Sequence, residues 1–345
     1  MSMSTRAVGL AFGLTLLTAS SSTFAAVTFD WATIGNAGNA ADPMTGFGAV
    51  ANNFRMATTE VTNAQYAEFL NAVAATDNFG GPDPNLYNTS MSDQFAGITR
   101  SGSAGSFTYA VTPGRENNPA VYTSFIDAMR FTNWLHNGQG SGGTETGVYN
   151  ITDGTTETRA AGAQYFIPTE DEWYKAAYHQ PAAQGGDSDD YWLYPESGNS
   201  NPVAGVDATF GNVTGNSTPV GTYAANFYGL FDMGGNVLEW NTGHLSASTR
   251  GYRAGSWFTG VVPLQSILRG GNFPTGEGST NGFRVASPIP CIGDLNGDNT
   301  VDTADLGILI GQFGTAGAGA DINGDGIVDT ADLGTLIGAF GMICP

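Results

Sequence analysis

The sequence is organised around the stretch Tyr228-Gly229-Leu230-Phe231-Asp232-Met233-Gly234-Gly235-Asn236-Val237-Leu238-Glu239-Trp240. Its density of aromatic residues, glycines and carboxylates is too high for an ordinary strand or helix. Gly234-Gly235-Asn236 favours positive backbone φ angles, which let the chain curl back on itself. Asp232 and Glu239 flank this turn, so carboxylate and carbonyl oxygens can converge on a hard cation such as calcium. The alternative is a glycine-rich turn whose acids face water.

The charge balance limits the possible partners. The chain has 345 residues, with 11 Lys plus Arg against 31 Asp plus Glu and a net charge of −20. Nucleic acids and anionic membranes attract proteins through Lys and Arg, so neither is expected as a partner. Cation binding and solubility outside the cell fit this composition.

The N-terminus predicts export. Arg6 precedes the short apolar run 8–17, and Thr23-Phe24-Ala25 resembles a cleavage site. We therefore predict a signal peptide over residues 1–25 and a secreted protein, extracellular or at the cell surface. A retained anchor is the alternative. The apolar run is too short to span a bilayer and no later segment is long enough, so no membrane span is expected after signal removal.

Three amphipathic helices are predicted in the first 180 residues. Each begins at a Ser or Thr that is followed three residues later by Gln, Asp or Glu, as in a capping box. Long stretches rich in Gly, Asn and Ser separate them and predict surface loops. The predicted fold class is α+β, and the predicted helix starts, each with its partner, are Thr62 with Gln65, Ser124 with Asp127, and Thr169 with Glu172.

Several motifs occur in a fixed order and resemble those of the sulfatase-modifying-factor family, the formylglycine-generating enzymes and their relatives. The resemblance covers residues 26–287 and implies the elaborated C-type-lectin-like fold of these enzymes, with little regular structure. The motifs are Thr59-Glu60-Val61-Thr62-Asn63, Phe125-Ile126-Asp127-Ala128, Ile167-Pro168-Thr169-Glu170-Asp171-Glu172-Trp173, Pro219-Val220-Gly221, Gly235-Asn236-Val237-Leu238-Glu239-Trp240, Gly255-Ser256-Trp257 and Gly282-Phe283-Arg284.

The copper chemistry of the family is not expected here. Members that make formylglycine hold copper(I) with two cysteines, and the matching positions in this sequence are Thr259 and Leu264. Neither side chain can replace a soft thiolate. The resemblance therefore predicts no bound copper and no formylglycine-generating activity. The alternative is an oxidoreductase of the same superfamily with a cysteine-independent mechanism.

The resemblance implies that the calcium site of the family is retained. Asp232 and Glu239 would supply carboxylates, and Gly235 and Val237 would supply backbone carbonyls. One or two calcium ions are expected in this domain.

The face that carries catalysis in the family is expected to bind a ligand in this protein. Its predicted contact residues are Ser256, Trp257, Phe258, Thr259 and Arg269. Aromatic groups beside an arginine suit carbohydrate, peptide or anionic groups. The alternative is that Trp257 belongs to the core and Arg269 is a structural hydrogen-bond donor.

The composition changes after the linker 288–290. Residues 291–345 contain eight aspartates and no Lys, Arg or Glu, and they repeat a twelve-residue calcium-loop pattern, each copy running into an apolar helical stripe. The predicted oxygen ligands, with backbone carbonyls at Thr300 and Ile327, are Asp294, Asn296, Asp298, Thr300, Asp302, Asp305, Asp321, Asn323, Asp325, Ile327, Asp329 and Asp332.

The duplicated pattern of one loop followed by one helix resembles a type I dockerin, which is a small all-α module with two calcium ions. This resemblance implies a cohesin-like partner or surface scaffold, contacted through Thr303-Ala304 and Thr330-Ala331. Two near-identical copies would allow binding in two orientations.

The two cysteines, Cys291 and Cys344, bracket this module, and we predict a disulfide between them. Closing a loop of about 50 residues contributes roughly 4 kcal/mol in the loop-entropy model. A module of this size has a marginal core, so the bridge and calcium together are expected to stabilise it.

Overall fold

The computed structural model describes residues 26–77, 85–298, 300–316 and 319–342. The predicted signal peptide and Cys344 lie outside these ranges, so cleavage of the signal and the disulfide stay predictions. Within them the chain combines short strands and helices with long irregular segments, which confirms the predicted α+β class.

The three helices of the N-terminal region begin where the sequence predicts. In each, the N-cap side chain accepts a hydrogen bond from the third helical residue, whose side chain in turn accepts one from the N-cap backbone. These reciprocal bonds satisfy two backbone N–H groups that the helix itself leaves unpaired. The helices are α1 (Asn63–Val73), α2 (Phe125–His136) and α3 (Glu170–Tyr178).

The strands are short, and the structure divides them among three sheets. They are β1 (Trp31–Ile34), β2 (Phe54–Ala57), β3 (Ile98–Ser101), β4 (Thr108–Val111), β5 (Leu238–Ser246), β6 (Thr249–Arg253), β7 (Gly270–Asn272), β8 (Asn281–Gly282) and β9 (Ala286–Pro288).

Sheet pairing brings distant parts of the chain together. β2 lies between β1 and β9, so the first and last strands of the N-terminal region belong to one antiparallel sheet. β3 and β4 form a hairpin, and the third sheet has the order β7-β6-β5-β8. β5 extends directly from the Gly-rich curl, which fixes that curl against the rest of the domain.

Aromatic side chains dominate the core between α1, α2 and the region near β8. Tyr66 and Phe69 of α1 contact Phe131 of α2, and Phe131 also contacts Phe283. All four side chains are fully buried. This packing removes a large apolar surface from water without long strands or helices.

The C-terminal module has two helices and a much smaller core. α4 (Thr303–Gln312) and α5 (Thr330–Gly338) each follow one acidic loop, as the repeat predicts. Among its described residues, the buried apolar side chains of this core are Val301, Leu309, Ala320, Val328, Leu336 and Ala339.

Candidate functional site

The central stretch does curl back on itself. Asp232, Gly235 and Asn236 have φ angles of 57°, 87° and 52°. Gly234 does not have a positive φ, but a Cβ atom there would lie 2.4 Å from Oε1 of Glu196, so glycine is needed for that close approach. The backbone amides of Gly235 and Asn236 donate to distant carbonyls and hold the curl in place.

Glu239 at the end of the curl forms a buried ion pair. Its carboxylate accepts from Nε and Nη2 of Arg284 at 2.7 and 2.6 Å, and from Nε1 of Trp173 at 2.7 Å. Both charged side chains are fully buried. The contacts therefore give Glu239 a counter-ion role in the core, and its role as a calcium ligand stays a prediction.

Sequence reasoning missed Arg284 as the partner of Glu239. The only available signal was the Gly282-Phe283-Arg284 motif, which marks an arginine without showing what it contacts. Nη1 and Nη2 of Arg284 also donate to the carbonyls of Ala57 and Phe231, so its charge and hydrogen-bonding capacity are both used in the core.

Asp232 is half-buried and lies near the carboxyl groups of Glu60 and Glu196. It accepts a hydrogen bond from the Gly221 amide at 2.7 Å, and burial raises its pKa to about 6. Burial likewise raises the pKa of Glu196 to about 7 and holds that of Glu60 well above its ordinary value. Oε2 of Glu60 and Oε2 of Glu196 are buried without a hydrogen-bond partner in the described part of the chain.

These orphaned oxygens fit a cation near Asp232, with Gly235 and Val237 buried in the same curl. Across residues 26–77, 85–298, 300–316 and 319–342, however, no three acidic, histidine or cysteine side chains are already arranged to hold a metal ion. Calcium in the N-terminal domain stays a prediction.

The two positions that carry copper cysteines in the formylglycine-generating enzymes converge on one point. A Cβ atom at Gly255 would lie 2.8 Å from Cδ1 of Leu264 and 3.0 Å from Oγ1 of Thr259. Thr259 Oγ1 accepts from the Ser256 amide at 2.8 Å and closes a local turn. Leu264 is fully buried in a small apolar cluster with Tyr194. The space beside Gly255 is thus occupied by the hydroxyl group of Thr259 and the isobutyl group of Leu264.

Beside this point lies a surface that we call the Phe258 face, formed by Phe258, Val213 and Val262. Phe258 is 63% exposed, and the two valines are more than half exposed. The backbone amides of residues 211 and 212 donate to the carbonyls of residues 259 and 257, so the two segments that carry Val213 and Phe258 lie against each other. The face is apolar and open to solvent.

Trp257 and Arg269 do not share one groove in the way that the sequence suggested. Trp257 is buried and stacks on Phe95, with ring centroids 5.4 Å apart. Arg269 pairs with Glu170, which also pairs with Arg253 at 2.7 Å. The contacts agree with the alternative interpretation, in which both side chains serve the fold. Ser256, which is buried, has a side-chain oxygen without a hydrogen-bond partner in the described residues.

The two acidic loops of the C-terminal module have the same internal hydrogen bonds. Asp305, the last loop position, accepts from the amides of Leu295 and Asn296 at 2.7 and 3.1 Å, and from Asp302 at 2.8 Å. Asp332 makes the equivalent three bonds in the second loop, where the amides of Asp329 and Asn323 lower its pKa. Each final aspartate therefore ties the start of its loop to the start of its helix.

The remaining loop oxygens turn toward the loop backbone. Asp294 Oδ1 accepts from Gly297 at 2.7 Å, and Asp321 Oδ1 accepts from Gly324 at 2.9 Å. Asp302 caps α4 through the amide of Ala304 and Asp329 caps α5 in the same way, so these two act as helix caps. Ligands at this ninth loop position often reach calcium through water, which a capping role permits.

The donor set of each loop fits calcium. It consists of oxygen atoms, and no Lys or Arg occurs anywhere in residues 291–345 to balance the aspartates. The predicted carbonyl ligands stand at the equivalent positions of the two copies, and the amides of Thr300 and Ile327 donate to Asp298 and Asp325 at 2.9 and 3.1 Å. The module also presents an exposed surface at each helix start, made of Thr303, Ala304, Thr330 and Ala331.

Comparisons with known families agree with this division. Residues 32–289 match the family described as "Sulfatase-modifying factor enzyme 1-like domain". Residues 292–340 match the dockerin type I domain, which confirms the predicted fusion. A search of curated proteins found no match.

Solved structures support the fold of the larger region. "Crystal Structure of CarF" is 20% identical, covers 76% of this chain and 99% of its own, and has a TM-score of 0.50. "Treponema denticola variable protein 1" is 22% identical, covers 77% of this chain and 97% of its own, and also has a TM-score of 0.50.

A "Type II cohesin-dockerin domain from Bacteroides cellolosolvens" is 40% identical over 16% of this chain and 92% of its own, with a TM-score of 0.16. In the part of the chain described, no helix is long and apolar enough to cross a membrane.

Proposed function

We propose, on the premise that the chain belongs to the sulfatase-modifying factor enzyme 1-like family and carries a type I dockerin domain, that it is a secreted ligand-binding protein. Its sulfatase-modifying factor enzyme 1-like domain binds a ligand and does not convert cysteine to formylglycine. Its dockerin domain attaches that unit to a cohesin partner in a calcium-dependent way.

The observation that carries the non-catalytic assignment is the convergence of Thr259 and Leu264. Their side chains meet at Gly255, where the copper-dependent members of the family would place two thiolates. The only cysteines of the chain are Cys291 and Cys344, beyond the family domain. Copper(I) prefers soft sulfur ligands, which this point lacks.

The test is incubation of the full chain with copper(I), oxygen and a sulfatase-derived cysteine peptide. Mass spectrometry is expected to show unmodified peptide. The variant Thr259→Cys/Leu264→Cys is expected to bind copper(I) in competition with a chelator, whereas Thr259→Ser/Leu264→Ala is not. Formylglycine formation by the wild-type chain would refute the assignment.

The Phe258 face is proposed to contact the ligand, a carbohydrate or a peptide. Exposed aromatic and aliphatic groups on an open surface are typical of recognition sites. A glycan and peptide array probed with the full chain is expected to give hits that weaken in Phe258→Ser. The matched control is Met44→Ser, because Met44 is similarly exposed and lies elsewhere in the sequence. Equal loss of signal in both variants would count against this face.

The dockerin domain is proposed to hold two calcium ions and to bind a cohesin in either of two orientations. The equivalent hydrogen bonds of the two loops and the exposed helix starts support both statements. A pull-down of the full chain with a cohesin-bearing scaffold, in calcium and in chelator, tests attachment. Retention that is equal in both conditions would contradict calcium dependence.

A further inference from the structure

A second binding site, apart from the Phe258 face, is indicated by a cavity of about 740 Å³ at the junction with the linker. Its walls come from residues 50–55, residues 159–166 and residues 287–291. The volume lies within the range of small-molecule binding pockets. None of the predicted site residues of the family domain lines this cavity.

The charges of the cavity oppose those of the whole chain. Arg55, Arg159 and Glu172 are its charged lining residues, whereas the chain as a whole has a net charge of −20. Glu172 is already neutralised, because Arg159 donates to both of its oxygens at 2.9 and 3.2 Å. Arg55 is therefore the unbalanced charge of the cavity.

Arg55 is held in place and keeps donors available. Its Nε donates to Oγ of Ser287 at 3.1 Å, and its guanidinium carbon lies 4.5 Å from the ring centroid of Trp31. Among the described residues, its two terminal nitrogens have no hydrogen-bond or ion-pair partner. A planar, fixed guanidinium with two free nitrogens matches a carboxylate or sulfate group.

The other lining groups favour a sugar over a peptide as the carrier of that anion. Tyr165 is half-buried in the cavity, and the amide side chains of Asn52, Asn53 and Gln164 are exposed at its edge. These are donors and acceptors suited to hydroxyl groups, beside an aromatic ring.

A peptide that binds by strand addition would need a free strand edge for backbone pairing. β2 is paired on both sides, by β1 and by β9. The backbone of Phe166 pairs with Ala286 of β9 at 2.8 and 2.9 Å. Both edges of β2 and the outer edge of β9 are therefore already paired at the places where a peptide strand would add.

We propose that this cavity binds an acidic sugar, with its carboxylate or sulfate on Arg55. The sugar ring would lie beside Tyr165, and the linker residues Pro288 to Cys291 would form one wall. This inference does not depend on the Phe258 face or on the absence of formylglycine chemistry.

Calorimetric titration of the full chain with a galacturonic acid trisaccharide tests the proposal. Binding is expected to weaken by at least about tenfold in Arg55→Gln, which keeps donors but loses the charge, and to weaken with added salt. Arg115→Gln is the matched control, because Arg115 donates to the Gln94 carbonyl outside the cavity. A parallel titration with galactose 6-sulfate distinguishes the sulfate from the carboxylate.

The methyl ester of the trisaccharide is expected not to bind, and a neutral tripeptide with a free C-terminus is expected to bind weakly. Tyr165→Leu, which removes the aromatic ring, gives a second variant if Arg55→Gln fails to fold, and it is expected to reduce the affinity several-fold. The proposal is overturned if no anionic sugar binds, if the ester binds equally well, if the tripeptide binds more tightly, or if neither variant changes the affinity.

Discussion

The N-terminal region, residues 26–288, and the C-terminal module, residues 291–342, balance their acidic side chains in different ways. In the first, arginines enter the core and pair with carboxylates, as Arg284 does with Glu239 and Arg253 with Glu170. In the second there is no Lys or Arg, and the loop aspartates accept hydrogen bonds from backbone amides and from the side-chain amides of Asn296 and Asn323. The first region thus supplies countercharge for these two buried carboxylates, whereas the second has no cationic side chain and must take its countercharge from solution.

The hydrophobic cores of the two regions also differ, in size and in the residues that form them. The N-terminal region buries a continuous set of aromatic side chains around α1, α2 and β5. Among its described residues, the C-terminal module buries six apolar side chains, four of them alanine or valine outside its two helices. Small cores seldom stabilise a fold without metal or disulfide support. We therefore expect calcium to decide whether the module folds and to affect the larger region less.

The largest expected effect of a single substitution is at the buried ion pair. Glu239→Gln leaves the Arg284 charge buried without a counter-ion, so the free energy of unfolding should fall by about 3–5 kcal/mol. The matched control is Glu145→Gln, which removes a partly exposed partner of Arg130 and should cost at most about 1 kcal/mol. Denaturant unfolding followed by tryptophan fluorescence measures both, because all six tryptophans precede residue 258. Similar values for the two variants would contradict the structural role of Glu239.

The next effect concerns Asp232 and pH. Burial raises its pKa in the folded state to about 6, so the folded protein binds this proton more tightly than the unfolded chain. The free energy of unfolding should therefore rise as the pH falls from about 6 to about 4 through this group. Asn tolerates the positive φ of residue 232, so Asp232→Asn should stabilise the calcium-free protein by about 2 kcal/mol at pH 7.5.

The same variant tests calcium at the curl. If Asp232 is a ligand, added calcium should raise the melting temperature of the wild-type N-terminal region and leave that of Asp232→Asn unchanged. An equal response of both proteins would place any bound calcium elsewhere.

A smaller effect is expected at the end of the first acidic loop. Asp305→Asn keeps one side-chain acceptor but loses a negative ligand, so the calcium concentration at half-saturation should rise by about tenfold. Asp153→Asn is the control, because Asp153 is an exposed loop acid of the other region that accepts from its own neighbour Thr155. Calorimetric calcium titration gives both values, and equal half-saturation would remove Asp305 from the ligand set.

The smallest effect on stability is expected at the exposed helix starts. Ala304→Gln and Ala331→Gln should each change the free energy of unfolding by less than about 0.5 kcal/mol, because both alanines face solvent. With two binding orientations, either single variant should still bind a cohesin and the double variant should not. Loss of binding in one single variant would indicate one orientation only.

Local sequence patterns predicted the helices well. The capping boxes at Thr62, Ser124 and Thr169 involve residues three positions apart, so the sequence alone shows both partners. The repeated calcium loops could be predicted for the same reason, since their ligands lie within twelve residues. The capping roles of Asp302 and Asp329, and the backbone bonds of Asp305 and Asp332, went beyond the predicted ligand pattern.

Roles that depend on distant contacts could not be predicted. The ion pair of Glu239 could not be predicted because its partner Arg284 comes from another segment, brought near through the pairing of β5 with β8. Trp257 looked like a binding residue because nothing in the local sequence shows that Phe95 covers it. The cavity around Arg55 is lined by three separate segments and by Glu172 of α3, so no local pattern in the sequence marks it.

Amide hydrogen exchange of the full chain, read by mass spectrometry in calcium and in chelator with reductant, tests most directly whether the two regions differ in their need for calcium. The amides of α4 and α5 should be protected in calcium and exchange freely in chelator with reductant, while those of α2 stay protected in both. Unchanged protection of α4 and α5 on calcium removal, or loss of α2 together with them, would contradict the account.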